Sequence, residues 1–150
     1  MKAVASELNK IIEIHLPSLR SLHVEEFNFK PSPDKWSKKE ILGHLVDSAQ
    51  NNIRRFVVGQ YEELPKIVYN QDKWVSIANY QGYPLNDLID LWYQLNKHIC
   101  QVLTNMPLEM ITRQVQTEQP HDLQWLAEDY TRHLLHHLHQ VLDLEPIAYR

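Results

Sequence analysis

A chain of 150 residues with 43% hydrophobic and 23% charged residues has the composition of one globular domain and the length to bury a core without cross-links. Its net charge of −4, with no Lys/Arg cluster, argues against a nucleic-acid partner. Cys100 is the single cysteine, so an internal disulfide is excluded; Met1 to Lys10 lacks the apolar run of a signal peptide, and no stretch nears the roughly 18 apolar residues that span a bilayer. A cytoplasmic protein that does not engage membranes is the expectation.

Val4, Leu8, Ile11, Ile12 and His15 recur at helical spacing and predict helix one over 3–16, ended or kinked near Pro17. Ser21 to Asp34, with Pro31 and Pro33, reads as a polar connector. Ser37-Lys-Lys-Glu40 is a capping box that opens helix two, and Trp36 is placed to staple onto Ile41. This helix should run to about Gly59, with Ile41, Leu42, Leu45, Ala49, Ile53 and Phe56 on its apolar face. Residues 60–83 are mixed, with a short helix expected over Gln71 to Tyr80. Pro84 suits the first turn of helix three, whose stripe of Leu88, Leu91, Trp92, Leu95, Ile99, Val102 and Leu103 ends before Pro107. Helix four should span about Asp122 to Leu144, with Leu123, Leu126, Tyr130, Leu134, Leu138 and Val141 facing the core. Four amphipathic helices and no sheet predict an all-α four-helix bundle in a single domain, 1–150. The longer connection between helices two and three permits a non-consecutive neighbour arrangement.

Helix four carries His133, His136, His137 and His139. Two histidines at i and i+4 share a helical face and can hold one ion together. At about 100° per residue, His133 and His137 lie together along the edge of the apolar arc. His139 points away, His136 leans toward solvent, and Gln140 projects between them, where it can support a ligand. A catalytic metal usually takes three protein ligands and keeps an open position. His44, in the first turns of helix two, is the best third candidate by position. The bland alternative places it beside a solvated polar stripe of Glu40, Asp47, Ser48, Asn51 and Arg55. His15 reads as a core-edge residue, His98 as a surface residue, and His23 and His121 as connector residues. Cys100 reads as a small buried hydrophobe, and the four tryptophans as core and cap residues. No Glu-x-x-His pair is present for a di-iron bundle.

The segments Lys35-Trp-Ser-Lys-Lys-Glu-Ile-Leu-Gly-His-Leu-Val-Asp-Ser-Ala49 and Tyr130-Thr-Arg-His-Leu-Leu-His-His-Leu-His-Gln-Val141 resemble the two signatures of the DinB-like superfamily. The second follows its pattern of a His, two residues, a His pair, two residues and a Gln. The resemblance covers nearly the whole chain. It implies a four-helix bundle holding one divalent metal, nickel or zinc, on three histidines, which by motif position are His44, His133 and His137. It also implies a homodimer and, for some members, transfer of a low-molecular-weight thiol such as bacillithiol or mycothiol. The expected function is therefore a metal-dependent enzyme acting on a small molecule, with thiol S-transfer as the leading reaction. Metal-dependent hydrolysis is the alternative, and a non-enzymatic metal- or ligand-binding dimeric bundle is the contrasting class. Asn51 and Arg55 are candidate contacts for an anionic substrate, and Asp47 and Gln140 are candidate supports of the ligands.

Overall fold

A computed structural model describes residues 1–149. Helix α1 (Lys2–Ser21) buries Ala5, Leu8, Ile11, Ile12 and Leu19. It runs through Pro17 rather than stopping there. Pro17 removes the donor that the Glu13 carbonyl would receive, and both residues lie on the exposed side of the helix, where water can serve that carbonyl. The expected polar connector contains a one-turn helix, α2 (Val24–Asn28), pinned by the fully buried Phe27.

Helix α3 (Lys38–Val58) begins as its sequence dictates. The Ser37 hydroxyl accepts from the Glu40 amide at 3.1 Å, and the Glu40 carboxylate accepts from the Ser37 amide at 2.8 Å. Helix α4 (Gln71–Ala78) matches the short helix expected there. Pro84 is the N-cap of α5 (Leu85–Asn105), whose buried stripe is centred on Trp92. Helix α6 (Leu123–Val141) ends three residues before the expected Leu144.

The expectation of no sheet is corrected by a small hairpin. Strands β1 (Gln114–Gln116) and β2 (Pro120–Asp122) pair antiparallel with Val115 opposite His121. Three-residue strands are too short to show apolar alternation, and here Val115 is the one buried residue. The hairpin joins the α3–α4 connection through Gln116, whose amide donates to the Pro65 carbonyl while its own carbonyl accepts from the Ile67 amide. Asp122 closes β2 and also caps α6, accepting from the Trp125 amide at 2.7 Å.

The four long helices form a bundle in which α1 packs on α5 and α6, and α3 packs on the same two. The order around the bundle is therefore α1, α5, α3, α6. Helices consecutive in sequence at either end of the chain sit on diagonals, an arrangement that the intervening connections make reachable. Its consequence is local: the start of α3 lies against the second half of α6. Among the described residues, no helix is long and apolar enough to cross a membrane.

Candidate metal centre

His44 sits two turns into α3, and its place is set by its neighbours. Gly43 lets the Tyr80 ring press onto the helix: a Cβ there would come within 2.1 Å of Tyr80 Cδ2. The Tyr80 hydroxyl then donates to Asp47 Oδ1 at 2.5 Å. On the other side the Trp36 ring lies 5.1 Å from that of His44, so the residue before the helix cap packs on the imidazole. The polar stripe of α3 is thus not a solvated face. His44 and Asp47 are each 1% exposed, and Ser48, Asn51 and Asn52 are buried beside them.

Across the α3–α6 interface, His133 and His137 meet His44. The ring centroids of His44 lie 5.0 Å from each, and the pair on α6 are 4.5 Å apart. One nitrogen from each of the three rings falls within 4.8 Å of the others, and His44 Nε2 stands 3.1 Å from His133 Nε2. Burial is the main cause that depresses all three pKa values. That of His44 falls to about 4, that of His133 lies well below the ordinary range, and that of His137 is lowered by burial against the opposing hydrogen bond of Gln140. All three rings are neutral at pH 7, the ligand form of imidazole.

The rings fit a divalent ion on two observations. If the His44–His133 contact is a hydrogen bond, one Nε2 must donate, and that ring's Nδ1 becomes a bare acceptor. Among the described residues, no protein group hydrogen-bonds to Nδ1 of either ring, so nothing on the chain fixes which Nε2 would donate. A shared cation removes the need for a donor between two facing lone pairs. The second observation is the tautomer of His137. Its Nδ1 stands 2.7 Å from Gln140 Oε1, which can only accept, so Nδ1 carries the proton and Nε2 keeps its lone pair. Gln140 Nε2 in turn donates to His136 Nε2 at 3.0 Å, and His136 Nδ1 donates to the Ile147 carbonyl at 2.6 Å. Every proton in that chain has one consistent position.

The remaining sequence candidates have definite places. His139 faces away from the cluster and donates to the Glu145 carbonyl. His136, expected to lean toward solvent, is half-buried and lines the same cavity as His133 and His137. Asp47 is held by Tyr80, and burial raises its pKa to about 6, although the Tyr80 hydrogen bond opposes the rise. Asn51 bonds back to the Asp47 carbonyl, and it is Ser48 and Asn52 that face the cavity. Arg55 is in the cavity wall. Cys100 is buried and burial pushes its thiol up to about 11, in keeping with a packing role.

The cavity has a volume of about 1020 Å³. Beyond the histidines, its walls include Arg55, Tyr69, Trp125, Asp129 and Tyr149, which sequence reading did not select apart from Arg55. His121, expected only as a connector residue, stacks on Trp125 at 3.7 Å with the rings 8° from parallel. The i, i+4 spacing of His121 and Trp125 was visible, but the hairpin that turns them toward the cavity was not. The Tyr149 ring packs 5.3 Å from His133 while its hydroxyl donates to Asp129 at 2.9 Å. That contact depends on the segment after α6 folding back along the helix.

The sequence profile of the DinB superfamily matches residues 12–141. The fold superposes on YfiT from Bacillus subtilis, described as a probable metal-dependent hydrolase with an unusual four-helix bundle topology, with a TM-score of 0.83. The two share 17% sequence identity, over 94% of this chain and 83% of that one. No curated protein matches the sequence.

Proposed function

We propose, from the premise that this chain belongs to the DinB superfamily, that it is a metal-dependent enzyme acting on a small molecule. His44, His133 and His137 would hold one divalent ion, with nickel and zinc both suited to an all-imidazole set. The observation that carries the reading is the convergence of three neutral imidazoles from two helices, with His133 and His137 of that cluster lining a large cavity and His44 buried behind them. A structural zinc site wants four protein ligands. Among the described residues the cluster offers three, which leaves a position for a reacting group.

A divalent ion there supplies Lewis acidity, polarising a substrate oxygen or favouring the deprotonated form of a nucleophile at neutral pH. The chain's own residues do the rest. Gln140 fixes the tautomer of His137, and burial keeps protons off all three rings. Trp36 and the α3–α6 packing hold His44 in place. Hydrolysis, with water as nucleophile, is the first reading. Transfer of a low-molecular-weight thiol is the second, favoured by a cavity of about 1020 Å³, at the upper end of small-molecule sites and roomy enough for a thiol beside its acceptor.

Elemental analysis of purified protein, followed by assay of metal-stripped and metal-restored samples against chromogenic esters and against a thiol plus an alkyl halide, tests this. About one equivalent of metal and a metal-restored activity support the proposal. Protein that binds no divalent ion at neutral pH overturns it.

A further inference from the structure

The cavity wall next to the histidines contains a half-buried cation without a salt-bridge partner among the described residues. Arg55 lies on α3 three turns beyond His44, on the strip that also presents Ser48 and Asn52 to the cavity. Its Nε and Nη2 donate to the Ile67 carbonyl at 3.3 and 3.1 Å, and its Nη1 donates to Asn52 Oδ1 at 3.3 Å. All of these acceptors are neutral. The Tyr69 ring lies 5.9 Å from the guanidinium carbon. Among the described residues, no carboxylate comes within 4.0 Å of Arg55.

A guanidinium carries five N–H groups in a fixed fork. Three are engaged, so one on each Nη remains free. Taking a cation out of water is costly unless a counter-charge compensates it, and among the described residues no carboxylate closes a salt bridge on Arg55. The other charged groups of the wall do not fill that role. Asp129 pulls on the Arg55 charge through space but makes no salt bridge with it; its carboxylate accepts from the Tyr149 hydroxyl and lies 3.5 Å from Arg132. Asp72 and Glu118 are exposed, where solvent and salt screen them.

We infer that Arg55 is the anion-binding element of the substrate site, and that the substrate is a small molecule bearing a carboxylate or phosphate held away from its reacting bond. The anionic oxygens occupy the free Nη donors. The bond that reacts lies toward His44, His133 and His137, an assignment that rests on the metal reading above. The aromatic groups of the same cavity wall, Tyr69, Trp125 and Tyr149, suit an apolar or planar body. The exposed acidic rim disfavours a second anionic group at the outer end.

Titration calorimetry with benzoate, phenyl phosphate and neutral benzamide tests the inference on the protein as purified, on Arg55→Gln and on His137→Ala. Wild type should bind at least one of the two anions roughly tenfold more tightly than benzamide. Arg55→Gln should erase that preference. His137→Ala should keep it, because the anion rests on Arg55 and not on the ion. Equal affinity for anions and benzamide in wild type overturns the inference, as does a preference that survives Arg55→Gln. A preference lost in His137→Ala but kept in Arg55→Gln would place the anion on the metal and also overturn it. Metal content measured on the same samples reports separately on the metal reading. If Arg55→Gln does not fold, because the link to Ile67 is lost, Arg55→Lys serves instead. It keeps the charge but not the fork, so anion binding should weaken severalfold with benzamide binding unchanged; unchanged anion binding would overturn the inference.

Discussion

His137 Nδ1 stands 2.7 Å from Gln140 Oε1, three residues along the same helix. A side-chain amide oxygen accepts and never donates, so this contact settles which nitrogen of His137 faces His44 and His133 with a lone pair. The chain from Gln140 to His136 to the Ile147 carbonyl holds the amide in that orientation.

Gln140→Leu should therefore lower divalent-metal affinity by roughly 10- to 100-fold, the usual cost of losing a residue that orients a ligand. The helical circular dichroism spectrum should not change, since Gln140 is exposed and outside the core. Competition with a chromogenic chelator measures it. Unaltered affinity would mean that His137 is oriented by its packing alone.

Removing a ring from the cluster should separate the histidines of α6 by role. His137→Ala takes away one of the three proposed ligands and should strip most metal during purification. His139→Ala should retain wild-type metal content, because that ring turns to the Glu145 carbonyl. Equal losses in the two variants would place the site on another face of α6.

The acid response of the metal-free protein follows from burial. His44 has its pKa depressed to about 4, and His133 and His137 are shifted the same way. Their unfolded values lie near 6.5. Between these limits the unfolded chain binds protons that the folded chain refuses, so stability falls as pH drops below about 6.5 and levels off below the folded pKa values. Asp47, raised to about 6, acts in the opposite sense: its folded form keeps a proton that the unfolded form loses between about pH 4 and 6. Asp47→Asn removes that compensation. Denaturant midpoints at pH 7.0 and 4.5 should fall in wild type and fall further in Asp47→Asn. A flat profile would show that the cluster opens to water. Metal retention should follow the same shift, with half-loss well below pH 6.5, because protons compete weakly for buried neutral rings.

Gly43 is required by contact. A Cβ placed there overlaps the Tyr80 ring, with Cδ2 at 2.1 Å and Cγ at 2.2 Å. Tyr80 is itself buried and tied to Asp47, so it cannot simply swing away. Gly43→Ala should cost about 1–3 kcal/mol from overpacking, despite the helix-favouring nature of alanine. Urea unfolding at neutral pH checks the sign; a gain in stability would show that Tyr80 can move without loss.

Local chemistry alone determined much of this protein. The capping box at Ser37, the apolar stripes of the four long helices and the i, i+4 pair His133 and His137 depend on residues within a turn or two of each other, so their spacing is legible in the chain. His44 was the best third candidate by position, and the two family signatures favoured it over the reading of a solvated stripe. What only the tertiary structure decided rests on contacts between distant segments. The polar strip of α3 reads as a solvated face until Tyr80, the α3–α4 connection and α6 cover it, because burial is a property of neighbours and not of the residue. Pro17 and Phe27 follow the same rule: a proline is tolerated where its orphaned carbonyl meets water, and a polar segment turns helical around one aromatic that finds the core. The cavity has no sequence signature, since it is assembled from α3, α6, the α3–α4 connection with the start of α4, a hairpin too short to announce itself, and the segment after α6. The placement of His44 against His133 depends on α3 and α6 being neighbours in the bundle. Helix spacing sets which face each residue occupies, and only the packing of one face on another makes three histidines a cluster.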